Sequence, residues 1–188
     1  MNKIKRIPYG KSDFETVNKQ NDYYVDKTMF IPLIEATPFI FLIRPRRFGK
    51  SLFLSTLQSY YDIKKAESFE DFYRETWILQ NPTDDRAKYL ILYFNFSAIL
   101  KDKDKVQTDF NNYCLIVLDK FVYKYRDYLP QRLHDKIALV NTAHEKLHVI
   151  ATELSESDYK IYLLIDEYDN FTNTLLTDFG EGEYKRIT

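Results

Sequence analysis

The chain has 188 residues, enough for one ordinary domain, and 45% of them are hydrophobic, enough for a sizeable core. Its formal net charge of −1 and its pI of about 6.3 exclude the global basic surplus expected of many nucleic-acid-binding proteins. Cys114 is the only cysteine, which excludes an intrachain disulfide. With no leader-like apolar region and no run of membrane-spanning length, the sequence predicts a cytoplasmic protein outside the membrane.

The N-terminal segment, residues 1–36, is expected to end in a helix. Residues 7–28 are predicted to be mostly extended or irregular. Residues 26–28, Asp-Lys-Thr, are typical of a helix start, and the following helix should run to about Ala36. Pro32 falls early in that helix, where proline is tolerated.

An apolar run followed by a glycine-lysine-serine loop is the most informative feature of the chain. Phe39–Ile43 predicts a short buried strand, and residues 44–51 then read R-P-R-R-F-G-K-S. This loop matches the phosphate-binding pattern G-x-x-x-x-G-K-[ST], except that Arg44 stands where the first glycine belongs. Apolar residues then recur at helical spacing and predict a helix: Phe53, Leu54, Leu57, Tyr60 and Tyr61.

The residue types of this loop suit a nucleoside triphosphate with Mg²⁺. Gly49 lets the backbone approach the phosphates, Lys50 can bridge the β- and γ-phosphates, and Ser51 can place its hydroxyl on Mg²⁺. Backbone N–H groups of the loop and of the first helical turn also point at the phosphates. The alternative is a basic turn without a ligand, because Arg44 replaces a hinge glycine and Pro45 removes one N–H. The predicted nucleotide-binding residues are Arg46, Arg47, Phe48, Gly49, Lys50, Ser51 and Leu52.

The middle of the chain combines a strand with helices. Ser68 and Asp71 resemble a helix-capping pair, residues 81–84 predict a turn, and Tyr89–Phe96 predicts a second buried strand. An amphipathic helix follows, which Pro130 ends, with the stripe Phe110, Cys114, Val117 and Phe121. A second long helix is predicted from the stripe Leu133, Ile137, Val140, His144, Leu147, Ala151 and Leu154. Strands separated by helices predict an α/β fold with a parallel sheet flanked by helices.

Near the C-terminus, a further apolar run ends in two acids. Ile161–Ile165 predicts a strand, and Asp166 and Glu167 follow it directly. In a P-loop ATPase the first such acid supports Mg²⁺ and the second can polarise an attacking water. We therefore predict Ser51 and Asp166 as metal-site residues and Glu167 as the catalytic residue. The alternative is a strand that ends in solvated acids.

The chain resembles the AAA-ATPase-like domain family of bacterial proteins, in which a restriction-endonuclease-like nuclease domain often follows the ATPase domain. The resemblance spans nearly the whole chain, and the R-P-R-R-F-G-K-S loop is itself typical of the family. Three segments carry it: YYVDKTMFIPLIE (23–35), LIRPRRFGKSLFLSTLQSYY (42–61) and YLLIDEYDNF (162–171). It implies a P-loop NTPase-like domain over residues 1–188, in which residues 37–171 run from the loop region to the acidic strand. No nuclease segment is recognised in this sequence.

The resemblance also implies a function, namely Mg-dependent ATP hydrolysis coupled to conformational change. The implied ligands are ATP and Mg²⁺, and the implied partner is a downstream nuclease-like domain in a full-length protein. In related ATPases a segment before the first strand often lines the adenine pocket, so Tyr24 and Asp26 are adenine-side candidates. Their alternative role is to pack on the core and cap a helix. The family's roles fall on Lys50 and Ser51 for phosphate and Mg²⁺, Asp166 for Mg²⁺, and Glu167 as the base.

Two other functions stay open. The domain could bind nucleotide or a partner without hydrolysis, because hydrolysis usually needs an arginine finger and none is assigned among Arg46, Arg47 and Arg86. Residues 144–148 read H-E-K-L-H, which matches the H-E-x-x-H pattern of zinc metalloproteases, with Glu145 as the base and Glu167 as a third ligand. Against this reading, His144 falls in the apolar stripe of its helix, where a core histidine is expected.

The expected strand order of this ATPase class, 5-1-4-3-2, suggests an incomplete domain. The predicted strands correspond to strands 1, 2 and 3, and strand 4 should lie between strands 1 and 3. It would follow Phe171, where 17 residues remain (172–188). We therefore expect the chain to be truncated at its C-terminus and marginally stable by itself. The sequence predicts neither the biological target nor the oligomeric state.

Overall fold

The computed structural model describes residues 4–43, 45, 47–99 and 105–168, without the side chains of Ala98 and Val106. The chain divides into two compact units, residues 1–89 and residues 90–188. The described residues combine helices with a small parallel sheet of two strands. The predicted mixture of helix and strand is therefore confirmed at this level.

The first unit is built mainly from short helices. They are α1 (Phe14–Lys19), α2 (Ile31–Glu35), α3 (Lys50–Tyr61), α4 (Phe69–Phe72) and α5 (Trp77–Gln80), with 3-10 turns at Thr28–Phe30 and Ile63–Ser68. The predicted helix after the loop is confirmed as α3, and its apolar stripe is buried. Helix α2 confirms the helix predicted up to Ala36, with Pro32 in its first turn.

Most of residues 7–28 are irregular, as predicted, but helix α1 within this range was not predicted. Asp13 caps it, since its carboxylate accepts a hydrogen bond from the backbone N–H of Thr16 at 2.7 Å. Phe14 and Val17 are fully buried on its inner face. A helix of six residues is too short to produce a visible hydrophobic period, so only the capping aspartate marked it in the sequence.

Tyrosines form much of the core of the first unit. Tyr60, Tyr61 and Tyr73 are almost fully buried, and the ring of Tyr73 lies 4.9 Å from that of Phe14, centroid to centroid. The Tyr73 hydroxyl donates to the backbone carbonyl of Thr56 at 2.7 Å, which compensates the loss of water around a buried polar group. The many aromatic residues in this part of the sequence therefore serve largely to pack the core.

The predicted capping pair of Ser68 and Asp71 is wrong. Ser68 precedes α4, but its side chain makes no capping hydrogen bond, and Asp71 pairs instead with Arg74 at 2.9 Å. The preceding 3-10 turn runs straight into α4, which leaves Ser68 at φ −92° and ψ 2°. A capping side chain normally requires an extended backbone at this position.

The second unit pairs two strands with three longer helices. Its elements are β1 (Tyr89–Asn95, which begins at the last residue of the first unit), a 3-10 turn (Phe96–Ala98), α6 (Val106–Lys124), α7 (Gln131–Ile137), α8 (Ala143–Ser155) and β2 (Lys160–Asp166). Strands β1 and β2 lie side by side in parallel. The strands predicted over Tyr89–Phe96 and Ile161–Ile165, and the amphipathic helix before Pro130, are thus confirmed.

Cys114 belongs to the buried face of α6. Its side chain is only 7% exposed, and burial raises the pKa of the thiol to about 11. A thiol that stays protonated at neutral pH behaves as a small apolar group. The predicted core role of this cysteine is confirmed.

The single long helix predicted from Leu133 to Leu154 is in fact two helices, α7 and α8. The break comes at Thr142, whose hydroxyl accepts from the backbone N–H of Glu145, while the Glu145 carboxylate accepts from the Thr142 N–H. This reciprocal capping box starts a new helix and changes which face is buried. The buried residues of α8 are Lys146, Ile150, Glu153 and Leu154.

The prediction of a buried strand over Phe39–Ile43 is also wrong for the structure described. No strand is assigned there, and Phe39, Phe41 and Ile43 are 84%, 75% and 83% exposed. A parallel strand becomes buried only through neighbouring strands and covering helices. In the part of the chain that the structure describes, the sheet consists of β1 and β2 alone. An apolar run indicates a tendency to be buried, but it does not supply the neighbours.

Candidate functional site

A left-handed glycine starts helix α3. Gly49 is the N-cap residue, with φ +78° and ψ 29°, a conformation that glycine adopts without steric cost. Its carbonyl accepts from the N–H of Phe53 at 2.9 Å, and no side chain caps the helix. Lys50 and Ser51 therefore open a helix of 12 residues whose first N–H groups have no intrahelical partner. Such an end attracts anions.

Arg47 shares this unusual backbone with Gly49. Its φ is +69°, although it carries a side chain, and such a conformation costs about 1–3 kcal/mol. Arg47 and Phe48 are both exposed. Of the other arginines in the loop, Arg44 and Arg46 lie outside the described residues. The loop thus combines a strained backbone with exposed side chains directly before the open helix end.

A cavity of about 640 Å³ adjoins the loop within the first unit. Residues of α2 and of the segment 37–42 supply aliphatic and aromatic walls. Gly49, Lys50 and Phe48 line it from the loop side, and Lys27 lines it as well. The cavity is therefore apolar over most of its surface, and two lysines, Lys27 and Lys50, are among the residues that line it.

Lys27 is a residue at this loop that the sequence analysis did not identify. Its Nζ donates to the backbone carbonyl of Phe48 at 2.8 Å, and a Cβ placed on Gly49 would lie 3.3 Å from the same nitrogen. The sequence marked residues 26–28 only as a helix start. Lys27 and Phe48 are 21 residues apart, and no sequence pattern indicates their contact. The contact depends on the three-dimensional path of the chain between them.

Tyr24 and Asp26, considered for the adenine side, have structural roles. The Tyr24 ring packs against Phe14 at a centroid distance of 5.1 Å, and burial raises the pKa of its hydroxyl to about 12. The carboxylate of Asp26 accepts from the N–H of Thr28 at 2.8 Å and from that of Trp77 at 2.7 Å. Neither residue lines the cavity beside the loop. These contacts agree with the alternative prediction, in which the two residues pack on the core and cap a helix.

Asp166 lies buried at the end of β2 and is held from two sides. It is 3% exposed, and its Oδ2 accepts from the hydroxyl of Tyr93 on β1 at 3.2 Å. Its Oδ1 accepts from the backbone N–H of Glu167 at 3.0 Å. Burial, together with the charge of Asp166, raises the pKa of Tyr93 well above its usual range, so the phenol remains a donor. The sequence analysis did not identify Tyr93 either.

Glu167 follows in a left-handed turn. Its φ is +55°, uncommon for a residue with a side chain, and the residue is half-buried. The turn directs the chain out of β2 immediately after Asp166. Like the Gly-Lys-Ser loop, the acidic end of β2 therefore combines backbone strain with residues predicted to act in chemistry.

A sequence model of the family described as "Predicted AAA-ATPase", AAA-ATPase-like, matches residues 8–188. The chain belongs to this family. It is also similar, at 54% identity over 55 residues, to a protein of Azotobacter chroococcum mcd 1 described as "Uncharacterized protein in vnfD 5'region". That match covers 28% of this chain and 11% of the relative, which is a much longer protein. No solved structure matches the chain.

In this AAA-ATPase-like chain, the two sets of predicted site residues fall in different units. Arg47, Phe48, Gly49, Lys50, Ser51 and Leu52 belong to the first unit, while Asp166 and Glu167 belong to the second. Ser51 is half-buried in the first turn of α3. The first set lies at the start of helix α3, and the second lies at the end of strand β2.

The side chains predicted to hold Mg²⁺ suit that ion. Ser51 offers a hydroxyl oxygen and Asp166 a carboxylate, and Mg²⁺ prefers oxygen ligands. In proteins it is commonly held by one or two carboxylates together with substrate phosphates and water. Among the described residues no group of three or more His, Cys, Asp and Glu side chains is placed to hold a metal. Ser51 and Asp166 thus offer the type of oxygen donor that Mg²⁺ takes.

Among the described residues, the H-E-x-x-H segment belongs to no group of three or more His, Cys, Asp and Glu side chains that could hold a metal. His144 and His148 are both exposed, so the expectation of a core histidine at position 144 is wrong. Glu145 serves the capping box, and the hydrogen bonds from the Thr142 hydroxyl and backbone lower the pKa of its carboxyl. The metalloprotease pattern is thus a helix start whose histidines face outward.

Arg86 is engaged in packing. Its guanidinium lies 4.5 Å from the centroid of the Phe69 ring, and it donates to the carbonyl of Ala66. Stacking of this kind is a common structural use of arginine. Arg86 is therefore a weaker candidate for an arginine finger than the exposed Arg47.

As for membranes, the described residues contain no helix with both the length and the apolar character needed to cross a bilayer.

Proposed function

We propose that this chain is the nucleotide-binding part of an ATPase that binds ATP with Mg²⁺ at the loop 46–52. The observation that carries the proposal is the start of α3, where the left-handed Gly49 leaves an open helix end directly followed by Lys50 and Ser51. This end adjoins a cavity of about 640 Å³, a size typical of small-molecule sites. Membership of the AAA-ATPase-like family supports the same reading.

The cavity walls suit a ligand with one flat apolar end and one anionic end. Phe30, Leu33 and Phe41 offer apolar surface, while Lys27 and Lys50 offer positive charge. A nucleobase can pack on such walls while its phosphates meet the lysines and the N–H groups of α3. We therefore assign the base to the apolar part of the cavity and the phosphates to its loop side.

The proposed chemistry is attack by water on the γ-phosphate. Lys50 would hold the β- and γ-phosphates, and Ser51 and Asp166 would hold Mg²⁺, which neutralises phosphate charge when bound. Glu167 would orient the attacking water and accept its proton. Tyr93 would keep the Asp166 carboxylate in one orientation.

Titration of the purified chain with Mg-ATP tests the binding step. We expect Lys50→Ala to weaken binding by about 2 kcal/mol or more, the scale of a lost charge-assisted contact. Lys88→Ala is the matched control, because Lys88 is an exposed lysine of the same unit outside the cavity lining. The control should bind as the parent does. Parental affinity in a folded Lys50→Ala variant would remove the loop from the site.

Turnover tests the second step separately. Glu167→Gln should bind Mg-ATP normally and lose hydrolysis, because glutamine keeps the size of the side chain but cannot accept the proton. Asp166→Asn should lower the Mg²⁺ dependence of binding. Phosphate release at the parental rate from Glu167→Gln would exclude Glu167 as the base. Binding without any turnover in the parent would favour a nucleotide-dependent interaction module instead.

We further propose that hydrolysis drives a conformational change in an attached or partner module. The Azotobacter relative is much longer than the segment it shares with this chain. A nuclease-like domain is the expected module from the resemblance described above. Joint expression of the chain with such a module, assayed for nucleotide-dependent protection from proteolysis, would test the coupling.

A further inference from the structure

Lys27 links the N-terminal segment to the phosphate loop. It directly precedes the 3-10 turn Thr28–Phe30, and its Nζ donates to the carbonyl of Phe48 at 2.8 Å. That carbonyl belongs to the peptide leading into Gly49, the residue that sets the left-handed turn at the start of α3. A hydrogen bond at this point restrains the orientation of the peptide between Phe48 and Gly49.

Lys27 forms no ion pair with an acid in the part of the chain that the structure describes. The same holds for Lys50 among the described residues. Both lysines nevertheless line the same cavity, whose other walls are mostly apolar. Two lysines that line one mostly apolar cavity give it positive charge. Such a charge favours an anionic ligand.

An ammonium group has three donors, and the Phe48 carbonyl uses one of those of Lys27. The remaining donors are sufficient for one or two anionic oxygens. The nearby N-terminus of α3 adds N–H groups to the same side of the cavity. The ligand indicated by this arrangement is a polyanion with closely spaced oxygens.

We propose that Lys27 is a second polyphosphate-binding cation of this site, oriented by the Phe48 carbonyl and acting together with Lys50. The proposal rests on the proposed nucleotide function and adds a residue from outside the loop pattern. The contribution of Lys27 grows with the number of phosphates on the ligand, because its interaction is with charge and not with the base. Arginine at this position keeps the positive charge in a larger, planar group, so it should retain part of the affinity that an uncharged residue loses.

The experiment compares ATP, ADP and AMP, each with Mg²⁺, on the parent chain and on Lys27→Met, Lys27→Arg and Lys50→Ala. Methionine keeps most of the apolar stem of lysine and removes the charge. We expect Lys27→Met to weaken ATP binding about tenfold, ADP binding less, and AMP binding least. Lys27→Arg should stay within about threefold of the parent for all three nucleotides. Thermal melting without nucleotide should give similar midpoints for all variants.

The outcomes separate this inference from the function on which it rests. If Lys50→Ala loses ATP but Lys27→Met binds as the parent does, the loop site stands and the role of Lys27 is overturned. Equal losses for ATP and AMP, or no rescue by Lys27→Arg, would make Lys27 a structural brace only and would also overturn it. If the parent binds no nucleotide, the proposed function and the inference both fail.

Discussion

At the scale of single residues, backbone strain coincides with the two sequence motifs. Among the residues that the structure describes, four non-glycine residues have positive φ: Asn21, Arg47, Ala87 and Glu167. Strain alone does not mark a site, because Asn21 and Ala87 lie away from both motifs. Arg47 and Glu167, however, stand beside the Gly-Lys-Ser and Asp-Glu sequences, where strain is commonly retained for function. Their conformations therefore support the proposal that both motifs act in binding or catalysis. The residue types alone did not decide this.

Tyr93→Phe tests whether the hydroxyl on β1 supports the metal role of Asp166. The substitution removes the donor that lies 3.2 Å from Asp166 Oδ2 and keeps the ring. Loss of a hydrogen bond to a metal-binding carboxylate typically weakens metal affinity by tenfold or more. We expect the Mg²⁺ concentration for half-maximal ATP binding to rise by about that factor, measured by titrating Mg²⁺ at fixed ATP.

Tyr113→Phe is the matched control for this prediction. The Tyr113 hydroxyl accepts from the backbone N–H of Asn95 at 2.7 Å, and no contact with Asp166 is described. Its removal should leave the Mg²⁺ requirement unchanged while costing about 1 kcal/mol of stability. If both phenylalanine variants shift the Mg²⁺ requirement equally, the effect of Tyr93 is a general loosening of the second unit and not support of Asp166.

At the scale of elements, the sequence predicted the structure where periodicity was long and uninterrupted. Helices α3 and α6 have 12 and 19 residues with clear apolar stripes, and β1 and β2 are compact apolar runs. Helix α1 was missed because six residues show too little period. Helices α7 and α8 were merged because their apolar spacing happens to continue across Thr142. At Thr142, the capping box starts a new helix although the apolar spacing continues.

Thr142→Ala tests the start of α8. The Thr142 hydroxyl accepts from the Glu145 N–H and donates to the Glu145 carboxylate at 2.7 Å, so alanine removes both bonds. We expect a loss of about 1 kcal/mol in the free energy of unfolding, typical of a lost N-cap. Chemical denaturation followed by circular dichroism would measure it. Ser155→Ala, at the exposed last residue of α8, is the control and should cost much less.

The same capping box has a predicted pH dependence. Hydrogen bonds from Thr142 lower the pKa of Glu145 below its ordinary value of 4.5 in the folded chain. A lowered carboxyl pKa stabilises the fold above pH 4.5, and this stabilisation is lost as the pH falls through the folded pKa. The difference in melting temperature between the parent and Thr142→Ala should therefore shrink in acid. A difference that is constant from pH 7 to about pH 3 would contradict the carboxylate's part in the cap.

At the scale of the whole chain, each of the two units buries its own core, and one apolar run belongs to neither core. The first unit surrounds Tyr60 and Tyr73, and the second surrounds Leu118 and Ile150. The run Phe39–Ile43 is mostly exposed. Sequence could predict which residues favour burial but not whether neighbouring strands are present, since that depends on chain pairing over long distances. The prediction of the phosphate loop did not depend on those neighbours, whereas the prediction of the strand before it did.

Serine substitutions in this run distinguish an exposed segment from a packed strand. Phe39 and Ile43 are 84% and 83% exposed, so Phe39→Ser and Ile43→Ser should each change the free energy of unfolding by less than about 0.5 kcal/mol. Leu57→Ala is the comparison, because Leu57 is 2% exposed in α3 and its truncation should cost about 2–5 kcal/mol. Both serine variants should also bind less of a hydrophobic dye and aggregate more slowly, since they reduce exposed apolar surface. Losses of about 2 kcal/mol or more in the serine variants would show that the run is packed in solution, as the sequence pattern predicts for a buried strand.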